Sequence, residues 1–378
     1  MWLAPLLHKR TPARPQNTRP AFRPQLEALE GRDVPSTLTV TNTLDDGSTG
    51  SLRWAVGQAN AHAGGDTITF DTTVFRTPQT ITLAQGELPI TKSLTIQGPG
   101  ADRLTISGGG FSAPDYGSRV FEIDGAATAV TLSGLSITGG TGLHYSYHIA
   151  GGIGWGGGGQ TGGSGFASDG QGGAIWNGGV LNVTGCTLSN NSVDANPTYL
   201  INPTFGFSGG AIYNAGTLTV SNSTLSKNAA GDAYWSSGGS WGSGGAIFNA
   251  GTLTVNNSSL SDNAAYGSSS NGVSFSNPGV GGAIDNFGSL SVSGGTLSDN
   301  SAYFGGAVFS GYKTSAALTG VTLSGNTAYE GGAIWNDGHL TIQSKSTVTG
   351  NAAAAGADLY TLGTTKISKD SIVGVVGP

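Results

Sequence analysis

Two carboxylates, Asp262 and Asp299, fall at the same place in consecutive copies of a repeat, with Lys227 one copy earlier. Carboxylates held one strand spacing apart, about 4.8 Å, have the geometry to share a Ca²⁺ ion or to act as an acid and base pair. The competing reading is a solvated surface pair, and no GGxGxD calcium repeat accompanies them. His144 and His148 lie four apart in a Gly-rich stretch without a helix to put them on one face, so spacing alone does not make them a metal pair. No convergent catalytic set is visible and no cofactor is implied. Cys186 has no disulfide partner, and nothing around it suggests an activated thiol, so it reads as a small packing residue.

A second group of residues is suited to binding. Tyr145, Tyr147, Trp155, Tyr199, Phe205, Tyr234, Trp235, Trp241 and Phe275 are scattered through insertions rich in Gly and Ser. Aromatic side chains supply contact area while small residues supply adaptable backbone, and the rings also suit stacking on sugars. The alternative is variable decoration whose rings fold back on the flank of the scaffold.

What must position these residues is a repeat. Units beginning GGAI or GGAV start at Gly172, Gly209, Gly244, Gly281, Gly305 and Gly331, at spacings of 37, 35, 37, 24 and 26 residues. A 24-residue unit with insertions before the next Gly pair accounts for all of them. Within a unit such as GGAIYNAGTLTVSNSTLSKN, apolar residues alternate in short bursts, which is strand periodicity. Three short strands cannot bury a core alone, so units must stack in parallel as the coils of a β-solenoid.

Stacking turns matched positions into columns. Ile175, Ile212, Ile247, Ile284, Val308 and Ile334 point inward from the first strand, Leu181, Leu218, Leu253, Leu290 and Leu340 from the second, and Leu188, Leu225, Leu260, Leu297, Leu323 and Val348 from the third. Asn177, Asn214, Asn249, Asn286 and Asn336 form one column of amides, and Asn191, Asn228, Asn263, Asn300, Asn326 and Asn351 form another. Such columns are expected to be structural ladders, bonding turn backbone and one another. The Gly pair signals a turn with positive φ or a close approach between coils. An outward column, Trp176, Tyr213, Phe248, Asp285, Phe309 and Trp335, is expected to stabilise the sheet by stacking rather than to serve as a glycan platform. The insertions all fall at one corner of the coil and should project from one side.

The 378 residues include 66 Gly and 10 % charged residues, in keeping with one elongated solenoid. Net charge is −6, but residues 1–35 carry six Lys or Arg against three Asp or Glu, leaving −9 on the rest. No Arg follows Arg119, which argues against nucleic acid as a partner. Residues 1–36 read as a disordered, basic, Pro-rich targeting-type segment whose WLAPLL is too short for an ordinary secretory core. No transmembrane span is expected. Residues 37–92 are expected to form an N-terminal cap and first strands, with a short helix in SLRWAVGQANA burying Leu52, Val56 and Ala59. Residues 93–352 form the β-helix and 353–378 a C-terminal cap, giving roughly nine to eleven coils over about 45–50 Å.

The coupled GGAI and LSxN repeats over residues 172–352 resemble the GGA(I/L/V) and FxxN repeats of polymorphic outer-membrane proteins, with Leu or Val in place of the Phe. TVTNTLDDGSTGSLRWAVGQAN through DTITFD is similar to the Ser-Leu-Arg-x-Ala segment of secreted right-handed β-helix repeat proteins. LEALEGRDVPS resembles the LExRxxP-type segment that precedes the mature region of some bacterial surface proteins. These resemblances imply an all-β, single-stranded right-handed parallel β-helix and an extracellular or cell-surface place. They also imply adhesion or recognition of a glycan or surface protein. The membrane barrel that ends the polymorphic proteins is not expected here, which leaves the mode of anchoring open. The resulting expectation is a non-enzymatic recognition scaffold; the alternative is a polysaccharide lyase or glycoside hydrolase, since such enzymes also use parallel β-helices.

Overall fold

The structure is a computed structural model describing residues 35–62, 64–110, 117–144, 167–168, 170–193, 207–231, 241–267 and 278–378. Three long parallel sheets wind into a right-handed β-helix, one of eleven strands and two of ten. One coil shows the construction. Ile212–Asn214 lies in one sheet, Thr217–Ser221 in the longest and Thr224–Ser226 in the third. Each strand pairs in register with its counterparts one coil on and one coil back, as Leu218 does with Leu181 and Leu253. Every second side chain therefore points inward, and the expected Ile, Leu and Val columns are buried in one continuous core. In the coil that starts at Gly305, Ala316 takes the place of the second-strand Leu.

Turn chemistry explains the rest of the repeat. The first Gly of each pair has φ between 63° and 73° at Gly209, Gly244 and Gly281, a left-handed conformation that other residues adopt only with strain. The second has ordinary φ, but a Cβ on Gly245 would collide with the carbonyl oxygen of Gly282 in the next coil. The pair thus divides two demands, backbone conformation and close approach, between its members. Beyond the third strand the turn needs another left-handed residue, supplied in successive coils by Asn190, Lys227, Asp262, Asp299, Gly325 and Gly350.

At the N-terminal end Leu52–Ala61 forms a ten-residue helix, with Ser51 as its N-cap accepting the Trp54 N–H at 3.2 Å. Leu52, Ala55, Val56 and Ala59 are buried, against strands Thr37–Val40 and Leu88–Ile90. Arg53 shows what the Ser-Leu-Arg-x-Ala residues do here. Its guanidinium spans both oxygens of Asp45 at 2.8 and 3.0 Å and donates to the Gly86 and Glu87 carbonyls. Asp45 in turn accepts the Ala84 and Gln85 N–H groups, so the pair ties the loop before the helix to the first coils. At the other end Leu359–Thr361, Thr364–Ile367 and Ile372–Val373 extend all three sheets by a further coil.

Both Asn columns are hydrogen-bonded ladders. Asn177 Nδ2 donates to Asn214 Oδ1, Asn214 to Asn249 and Asn249 to Asn286, at 2.7 to 2.8 Å. Ser310 interrupts this column, so Asn286 has no amide ahead of it and donates to the Ser315 carbonyl, while Asn336 beyond the gap donates to Thr361 Oγ1 in the next coil. The second ladder runs unbroken from Asn191 through Asn228, Asn263, Asn300 and Asn326 to Asn351 and ends on the carboxylate of Asp358.

Candidate functional site

The insertions share one pair of roots. Where they leave, Ser192–Val193 pairs with Ala229–Ala230 and that with Ala264–Ala265, and the column continues through Ser301, Thr327 and Ala352. Where they return, Gln171, Ser208, Ser243, Val280, Phe304, Glu330 and Ala355 form a second column. In the coils that start at Gly281 and Gly305, only two residues separate these columns, Ala302–Tyr303 and Ala328–Tyr329. The expected binding residues Tyr145, Tyr147, Trp155, Tyr199, Phe205, Tyr234, Trp235 and Phe275 lie outside the described residues, as does His148. Trp241 is described: it sits at an insertion root, 41 % exposed, bridged to Gly267.

What the structure adds at this corner is a file of tyrosines, which a sequence reading passes over as remnants of shrinking insertions. Tyr266, Tyr303 and Tyr329 follow the departing column in three successive coils. Tyr303 and Tyr329 stack with ring centroids 4.8 Å apart, and the following coil has Ala354 at the equivalent place. Tyr329 is accordingly 52 % exposed. Burial raises the Tyr303 hydroxyl above its ordinary range, helped by the neighbouring Tyr329 and Glu330.

From this corner an aromatic network crosses the adjoining sheet. Tyr303 meets Phe304 edge-on at 4.7 Å, Phe304 meets Trp335 at 5.8 Å, and Trp335 stacks on Phe309 at 4.6 Å and on Tyr360 at 6.3 Å. Phe287 then links Phe309 to Phe248, which stacks on Tyr213 at 5.0 Å. The outward column behaves as expected, its rings stacked face to face along the helix axis. Stacking in that direction presents ring edges to solvent, and broad faces are free only where a stack stops. The far border carries two exposed rings, Phe287 at 54 % and Tyr312 at 68 %, with the Lys313 ammonium 4.9 Å from the Tyr312 ring centre.

The column has one exception. Asp285 stands in register between Phe248 and Phe309, fully buried. Phe287, two residues on, supplies the ring missing from the file and packs against Gly311. Burial drives the Asp285 carboxyl well above the usual carboxylate range, opposed only by the Ser243 hydroxyl.

Asp262 and Asp299 are placed by backbone geometry, at φ of 55° and 57° in the left-handed turn column where Asn190, Lys227 and Gly325 also stand. That requirement accounts for their matched phase without a ligand, and no cluster of three or more His, Cys, Asp or Glu suited to a metal occurs among the described residues. Cys186 is buried, its thiol 3.4 Å from the Thr184 carbonyl oxygen and 3.5 Å from that of Leu132, and burial raises its pKa, as a packing role requires. Among the described residues no helix is long and apolar enough to cross a membrane.

No protein-family model matches this chain, and no curated protein matches it. Among solved structures it is similar to Jun a 1, the major allergen from cedar pollen. That likeness has 13 % identity and a TM-score of 0.31 over 91 % of this chain and 80 % of the allergen's.

Proposed function

We propose that this protein is an exported recognition scaffold whose insertion-bearing corner and adjoining aromatic face bind a glycan or a surface protein. The single observation that carries the reading is the connected aromatic surface from Tyr329 to Phe287, which ends in exposed rings at both borders and begins at the insertion roots. Exposed aromatic rings on a rigid support lose little conformational entropy on binding, which makes them effective anchors. The resemblance of the repeats to those of polymorphic outer-membrane proteins supports display at a surface.

A glycan array and a cell-adhesion assay test the reading directly. Tyr329→Ala and Trp241→Ala are each expected to weaken binding at least about fivefold while leaving the melting temperature nearly unchanged. Deleting residues 194–206 and 232–240 keeps the paired root strands and should reduce binding further. The reading fails if neither screen detects a ligand and the deletions change nothing. Sustained release of unsaturated or reducing ends from pectin, alginate or glycosaminoglycans, abolished by Asp299→Ala, would instead establish a lyase or glycosidase.

A further inference from the structure

Asp285 occupies the one place in the stacked column, between Tyr213 and Tyr360, where no ring stands. Neither of its carboxyl oxygens has a hydrogen-bond partner, although the side chain is fully buried. An unpaired carboxylate cannot be held in such surroundings without a large desolvation penalty, so the buried group keeps its proton. Phe248 flanks it from the preceding coil, Phe309 from the following coil and Phe287 from its own turn. The returning column contributes Ser243, whose hydroxyl lies nearby without closing a well-formed bond, and Val280. None of these neighbours is charged or titratable, and the inserted residues 268–277, SSSNGVSFSN, contain no titratable side chain.

One of the rings that flank this carboxyl is itself open to water. Phe287 lies over the column from a turn, more than half exposed, with Gly288 after it. We propose that Asp285 is a proton switch in the aromatic face: protonated, it stays beneath Phe287 and the face is closed, whereas ionised it moves to water and the turn from Ile284 to Phe287 opens. The device lies within the surface assigned to recognition above, but its operation does not depend on which ligand binds there.

The direction of the effect follows from proton counting. The closed form holds a proton at pH values where a solvated Asp has lost it, so opening releases a proton and rising pH favours the open form. The opening constant should be flat below about pH 4 and rise up to tenfold per pH unit above it, until the closed form itself ionises.

Amide hydrogen exchange over residues 284–287, compared between wild type and Asp285→Asn at each pH, cancels the intrinsic pH dependence of exchange. The wild-type to variant ratio of opening constants is expected to rise at least tenfold between pH 5 and pH 7. Asp285→Ala, which removes the titratable group and needs no more space, should show no pH-dependent opening and serves as comparator if the Asn variant does not fold. Phe287→Ala admits water to the carboxyl in the closed form, so it should raise opening at low pH and flatten the pH dependence. A ratio constant from pH 4 to 8, or a Phe287→Ala protein with the full wild-type slope, overturns the proposal.

Discussion

The two Asn ladders look alike in sequence and differ in what their oxygens do. In the first, Asn286 Oδ1 accepts the N–H of Gly288 in its own turn as well as the Asn249 amide of the stack, Asn177 Oδ1 accepts the N–H of Gly179, and Asn336 keeps the equivalent bond to Gly338 although its column is broken behind it. In the second, Asn228 Oδ1 accepts both the backbone N–H and the Nδ2 of Asn191 from the preceding coil, while Asn228 Nδ2 reaches back to the Leu188 carbonyl. Each of these amides therefore supplies the hydrogen bonds of the coil before it, at the corner where the chain leaves for its insertions. The first column's amide nitrogens also reach the next coil, as Asn249 Nδ2 does at the Ser289 carbonyl, but its oxygens serve their own turns, and it tolerates Ser310. A column whose members serve their neighbours has no gap from Asn191 to Asn351, and at its end Asp358 accepts the same two bonds from Asn351.

Substitutions can break or sharpen that contrast. The largest effect is expected from Asn263→Ala, which strands the buried Asn228 N–H and takes a donor from the Leu225 carbonyl, while Asn300 Oδ1 keeps only the backbone N–H of residue 263. A loss of about 3–5 kcal/mol in denaturant unfolding is expected, because each unsatisfied buried group costs about 1–3 kcal/mol. Asn249→Ala in the first ladder should cost less, about 2–3 kcal/mol, since three of its side-chain bonds cross between coils against four for Asn263. Equal losses would remove the distinction. A gentler pair isolates the same point: Asn300→Ser should destabilise by at least about 1 kcal/mol more than Asn286→Ser. The smallest effect is expected from Ser310→Asn. Thr314, bonded to the Ser310 hydroxyl at 2.8 Å, fills the space a restored amide needs, so stability should change by less than about 1 kcal/mol. A clear gain there would show that continuity, rather than local turn bonding, governs the first ladder.

Particular residues show how far sequence reasoning reaches. Alternation of Leu218, Val220 and Leu225 with Thr and Ser gives strands because a pleated strand has a period of two, and recurrence at matched phase gives stacking. The Asn columns are readable for the same reason. That Asp262 and Asp299 share a phase was readable too, but not its cause, because a left-handed φ is a property of backbone conformation and not of residue type. Tyr303 and Tyr329 stand in sequence as single residues of two short corners, SAYF and TAYE, and their ring contact depends on how those corners lie over each other. Of the candidate loop aromatics, only Trp241 falls among the described residues.

The sequence by itself determined the solenoid, its inward columns, the amide ladders and the corner from which insertions leave, since all of these follow from periodicity and residue type. Only the tertiary structure decided that Phe287 replaces the ring missing at Asp285, that the aromatic network runs unbroken from Tyr329 to Phe287, and that a carboxyl is sealed within it. These depend on the distances between side chains of different coils and turns, and periodicity along one chain does not encode such distances.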